Sequence, residues 1–120
     1  MPDGAKTNKN LRIAPHNIDA EKALLGAILL KPDVMHDVSV TIFPESFYAD
    51  KHRTIFEAIY QIFIKGDPID IVSVTSKLTA GNSLERVGGA SYITELIETV
   101  PAAGNAMYYT ELVPGKAILR

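Results

Sequence analysis

The stretch that most limits what this chain can become runs from Lys51 to Lys65, KHRTIFEAIYQIFIK. Ile55, Ile59 and Ile62 recur at helical spacing, and Phe56, Tyr60 and Phe63 form a second row beside them. Two adjacent apolar rows make a face too wide for a single neighbour, so the pattern predicts a central helix packed from more than one side. Asp50 stands where a cap would start this helix, and Gly66 where one would stop it.

The rest of the chain reads as shorter helices around that one. From Ile18, Leu24 and Ile28 share a face with Leu25 and Leu29 beside it, Asn17 can cap the start, and Pro32 closes the segment. Asp19 and Glu21 place negative charge on the first turn, where the helix dipole favours it. Gly26 inside this helix costs about 1 kcal/mol relative to alanine, which points to the close approach of a neighbouring helix. The periodicity of Val34 to Ile42 fixes no element type, and the turn Phe43–Tyr48 is expected to place Phe47, with Phe43, in the core.

Residues 67–78 are ambiguous. The β-branched residues of Ile69–Val74 suit a strand, but no partner strand exists elsewhere, and Asp70 can cap a helix burying Ile71, Val74, Thr75 and Leu78. Helix is the better reading. Gly81-Asn82-Ser83 reads as a loop and Gly88-Gly89 as a tight turn. A helix over Ser91–Thr99 would bury Tyr92, Ile93, Leu96 and Ile97, and a last one over Ala103–Val113 has Tyr109, Leu112 and Val113 on one face. The predicted fold is all-α: a compact bundle of about six short helices.

Composition narrows the function classes. The 120 residues carry 12 Lys and Arg against 14 Asp and Glu, a formal charge of −2, so a strongly basic nucleic-acid clamp is excluded. Residues 1–15 carry +2 and little to bury, which predicts a flexible, solvated basic tail ahead of one domain over residues 16–113. With no Cys, disulfides and thiolate metal sites are impossible. No apolar run approaches the roughly 20 residues that span a bilayer, and no secretory signal opens the chain, so a cytoplasmic protein is expected.

Catalytic signatures are missing. His16, His36 and His52 form no HExxH or similar pair and read as surface or capping residues rather than ligands. Pro114-Gly115-Lys116-Ala117 fails as a phosphate loop, having Thr110 where the first glycine belongs and Ala117 where a hydroxyl should bind magnesium. Gly88-Gly89 lacks the dinucleotide spacing. Lys51 and Arg53, the best basic pair, share their helix with Glu57 and read as a solvated helix start. No cofactor or metal is expected here.

Five blocks in order resemble the N-terminal domain of the DnaB family of bacterial replicative helicases. They are Pro15-His16-Asn17-Ile18-Asp19-Ala20-Glu21 with Leu24-Leu25-Gly26-Ala27; Phe47-Tyr48 with His52 and Ile55-Phe56; Pro68-Ile69-Asp70; Gly88-Gly89 with Tyr92 and Leu96; and Pro101-Ala102-Ala103-Gly104-Asn105 with Tyr109. The likeness covers about Pro15 to Arg120. It implies a helical head leading into a helical hairpin, with hairpins pairing so that six subunits form a collar. A separate motor domain, expected outside this chain, would bind ATP and Mg and move on single-stranded DNA. The implied partners are other copies of the chain (a dimer, a hexamer in the parent), the primase C-terminal domain and a helicase loader.

One departure bears on the hairpin. Relatives carry a charged, helix-compatible sequence after the last tyrosine-containing helix, whereas this chain has Pro114-Gly115. A proline there would remove the bond to Thr110 and cost about 3 kcal/mol inside a helix. Residues 114–120 therefore read as the start of a truncated hairpin or linker: a broken first hairpin helix or an altered chain end.

On this reading the chain is a non-catalytic collar domain that binds its own copies and primase. The self-contact candidates are Tyr108, Tyr109, Leu112, Ile118 and Leu119; the primase candidates are Asp19, Glu21, Tyr92 and Arg120. Tyr92 and Tyr109 read equally well as core residues with a hydroxyl at the surface. The alternatives are a stand-alone helical protein–protein adaptor and a single-strand DNA-binding module, the latter requiring salt-sensitive binding.

Overall fold

Residues 17–100 and 106–113 are described by the computed structural model. They form six α-helices with no strand among them: α1 (Ile18–Leu30), α2 (Met35–Thr41), α3 (Asp50–Lys65), α4 (Ile71–Ala80), α5 (Gly89–Glu98) and α6 (Ala106–Leu112). The all-α expectation holds. The tail, His16, the segment 101–105 and the hairpin root at 114–120 lie outside the described residues.

α1 is the most deeply buried element. Asn17 caps it, its side chain accepting the Ala20 N–H at 3.1 Å, and nine of its thirteen residues are buried. A helix enclosed on nearly every side must be touched by several neighbours, and α1 meets α3, α5 and α6. Gly26 explains how α5 fits. A Cβ there would stand 2.1 Å from the Leu96 carbonyl oxygen and 2.4 Å from Val100 Cγ2. The glycine admits another helix, as the sequence implied.

α3 runs through the bundle with Ile55, Phe56 and Ile59 fully buried, carrying α4 on one side and meeting α1 on another. It begins one residue earlier than expected. Ala49, not Asp50, is the capping residue and has no side chain to offer; Asp50 turns instead to the Arg53 guanidinium. Gly66 ends the helix at φ +81°, a left-handed conformation that favours glycine, with the Asp67 N–H returning to the Ile62 carbonyl at 3.2 Å.

The ambiguous stretch is helical because of its first turn. Asp70 accepts the Ser73 N–H at 2.8 Å and Ser73 Oγ accepts the Asp70 N–H at 2.9 Å, a reciprocal box that outweighs β-branched propensity. Val74 and Leu78 are buried, with Ile71 half-buried beside them. In α2, Met35 and Val38 point inward, and Ile42 follows just beyond its end. Phe47 enters the core, but Phe43 stays exposed. The turn Pro44–Ser46 buries Ser46 in its place, whose Oγ accepts the Phe43 N–H at 3.0 Å.

Candidate functional site

Two surfaces carry the candidate residues. The first lies where α1, α3 and α5 meet. Glu21 is 1 % exposed and His52 0 %. The Glu21 carboxylate accepts the Tyr48 N–H at 2.6 Å and the Ala49 N–H at 3.4 Å. It thus sits at the start of α3, where the positive end of the helix dipole favours a carboxylate. Glu21 Oε1 also lies 2.7 Å from His52 Nδ1, and His52 Nε2 lies 2.7 Å from the Tyr92 hydroxyl. A carboxylate only accepts, so Nδ1 carries a proton, and in the neutral ring the Tyr92 O–H donates to Nε2.

Tyr92 completes this network at the surface. Burial, followed by the nearby Glu95 and Glu21 carboxylates, pushes its phenol up to about 12. Lys51 Nζ stands 4.0 Å from the ring centroid, a cation–π distance, and Lys22 bonds Glu95 at 3.0 Å on the same rim. Arg53 donates to the Phe47 and Tyr48 carbonyls at 3.0 and 3.2 Å. The Lys51 and Arg53 pair is therefore held by the domain's own groups rather than spread as a solvated helix start.

This arrangement corrects the sequence reading in two places. Glu21 and Tyr92 do come together, but through His52 and as an internal brace. The Glu21 carboxylate is occupied by the fold and presents no surface to a partner. His52 is no surface residue: its ring is enclosed, bonded at both nitrogens and packed near Phe47. Helical spacing carried the signal, since His52 stands three and seven residues before Ile55 and Ile59 in the buried row. Asp19 remains exposed on the first turn of α1.

The second surface is the outer side of α6. Tyr109 and Ala106 are buried against the bundle, Leu112 is half-buried, and Met107 and Tyr108 are exposed. The Tyr108 and Tyr109 rings meet edge to face at 5.5 Å, so one tyrosine anchors the helix and supports the other facing outward. Among the described self-contact candidates, Tyr108 is the most exposed. Ile118, Leu119 and Arg120 lie outside the described residues.

Nothing in the described part resembles a reaction centre. No group of three or more His, Asp or Glu side chains there could hold a metal ion, and no described helix is long and apolar enough to cross a membrane. Charge over the whole chain is nearly balanced, with 12 Lys and Arg against 14 Asp and Glu, a formal −2.

Comparison with known proteins agrees with this architecture. Residues 13–114 match the family described as DnaB-like helicase N terminal domain. The chain is 43% identical over 109 residues to the replicative DNA helicase DnaB of Geobacillus stearothermophilus, covering 91% of this chain and 24% of that protein. It is 43% identical over 111 residues to the replicative DNA helicase DnaC of Bacillus subtilis, covering 92% of this chain and 24% of the relative. The chain thus spans about a quarter of the length of these curated relatives. The crystal structure of the N-terminal domain of DnaB helicase from Mycobacterium tuberculosis superposes with a TM-score of 0.82 at 40% identity, covering 88% of this chain and 76% of that one. A DnaB-like replicative helicase solved for its interactions with primase gives 0.72 at 30% identity, covering 81% of this chain and 23% of the other. With its six-helix body, its Gly26 seam and a match over residues 13–114, this chain belongs to the DnaB-like helicase N-terminal domain family.

Proposed function

We propose that this chain is the non-catalytic collar domain of a hexameric replicative helicase, associating with its own copies and receiving primase. Unwinding and ATP hydrolysis, with the ATP and Mg they require, belong in this reading to the part of the relatives' length that this chain does not span. The carrying observation is the outer face of α6. Tyr108 is 56 % exposed and Met107 44 %, on a helix whose inner residues are fully committed to the bundle. An aromatic held upright by a buried neighbour loses little side-chain freedom on contact, which is what an association anchor needs.

Charge favours protein over nucleic acid as the partner. A chain of formal charge −2 offers a phosphate backbone little attraction, whereas direct single-strand binding relies on basic grooves lined with stacking aromatics. The primase reading draws support from the solved relative described with its primase interactions, and a helicase loader is the further partner of the same reading. The stand-alone adaptor predicts the same fold, but no observation on this chain favours it. Sedimentation of the chain over a concentration series tests self-association. Association weakened in Tyr108→Ala, with an unaltered melting curve, is the expected result. An unchanged monomer–oligomer balance would remove α6 from the contact.

A further inference from the structure

Most cations of this domain are already committed. Lys22 pairs with Glu95 at 3.0 Å, Lys65 with Asp67 at 3.7 Å and Arg53 with Asp50, while Lys51 sits over the Tyr92 ring. Of the three described cations left, Lys31, Lys77 and Arg86, none forms an ion pair with a described carboxylate, and Arg86 donates to the Ser83 hydroxyl at 3.3 Å. The Lys77 and Arg86 side chains line the same cleft, of about 400 Å³, between α3 and the end of α4. Two of the three thus face one concavity, where low-dielectric walls strengthen their attraction for an anionic group.

The cleft is elongated. A second one, of about 310 Å³, opens further along the α3–α4 seam and shares Lys77 with the first. On α3 the wall descends through Thr54, Gln61 and Lys65, and eleven residues at 1.5 Å rise give about 16 Å. That length accommodates about five residues of extended peptide. Ser73 and Ser76 line the far end, Ser83 the near one, and Leu78 and Ala58 contribute apolar surface. Glu57 is the one carboxylate among the residues that line the first cleft, and Asp67, which lines the second, is held by Lys65. No aromatic side chain lines either cleft, so bases would find nothing to stack on.

We infer that the α3–α4 trough docks a short extended segment of a partner protein, with an Asp or Glu side chain of that segment seated between Lys77 and Arg86. The guanidinium of Arg86 suits bidentate recognition of a carboxylate, and Lys77 adds a point charge from α4. Glu57 sets the number of carboxylates tolerated there, since a second one would meet its charge. This surface is separate from α6 and from the Tyr92 rim, and it does not depend on the collar reading.

Heteronuclear NMR titration with the capped peptide acetyl-Gly-Ser-Glu-Ser-Gly-amide tests the inference, with the Gln peptide and oligothymidylate as comparisons. The Glu peptide at millimolar concentration should shift the amides around Lys77, Ser83 and Arg86. Lys77→Glu and Arg86→Glu should each weaken it about fivefold or more, while Lys31→Glu, equal in charge but outside the trough, should leave it within about twofold. Glu57→Gln should strengthen it. Absence of shifts, equal shifts with the Gln peptide, equal loss in Lys31→Glu, or stronger displacement by oligothymidylate would each overturn the proposal.

Discussion

The α1–α3–α5 junction and the outer face of α6 hold tyrosines to opposite ends. At the junction, Tyr92 closes a chain of buried bonds through His52 to Glu21, beside a glycine that lets two helices touch. On α6, Tyr109 is buried but Tyr108 is left outward, supported by the ring of Tyr109. A residue braced by several elements serves the fold, and breaking it should cost stability. One braced from behind and open in front can serve a partner, and removing it should leave the fold alone.

Substitutions should separate the two regions in order of effect. Ile59→Asp sets the ceiling, placing an unpaired charge in the core at about 4 kcal/mol or more and abolishing the cooperative thermal transition. Gly26→Val should follow, since its side chain must displace the Leu96 backbone; we expect about 3 kcal/mol by denaturant titration. Glu21→Ala strands two backbone N–H groups and His52, and should lose about 2–3 kcal/mol. If Glu21→Ala melted like the parent, the junction would be no brace.

Tyr92→Phe removes one bond, about 1 kcal/mol at neutral pH, and alters the alkaline limb. The folded phenol sits at about 12 against an ordinary 10.0, so the fold favours its protonated form. That contribution is complete below pH 10 and fades as pH rises through the folded value, because the unfolded chain then releases its proton first. Near-ultraviolet absorbance should show a late-titrating tyrosine in the parent that is missing in Tyr92→Phe. The smallest effect belongs to Tyr108→Ala, within about 0.5 kcal/mol on stability despite its effect on association.

Local rules made most of this fold readable. Spacing gave every helix but α2, whose seven residues are too few to show a period, while Asn17 and Asp70 gave caps, Gly66 the stop, and Gly26 the close approach of a neighbour. Long-range satisfaction was not readable. Glu21 lies 31 positions from His52, and His52 lies 40 from Tyr92, so periodicity could place each on a face but not join them. An acidic residue on a first turn looks like a dipole partner at the surface, and only tertiary packing turned Glu21 toward the start of another helix. Phe43 failed for a similar reason: hydrophobicity does not say which of two nearby phenylalanines a turn will bury. The α6 surface was half legible, its spacing marking Tyr109 as inward-facing without marking Tyr108 as the exposed one.

In the reading proposed above, this domain acts by being bound. Mixing the chain with a primase C-terminal domain and measuring mass in solution by light scattering tests that claim most directly. A species heavier than either component is expected, retained in Tyr92→Phe because that residue's hydroxyl braces the fold. Two separate, unshifted masses across the working concentration range would contradict it.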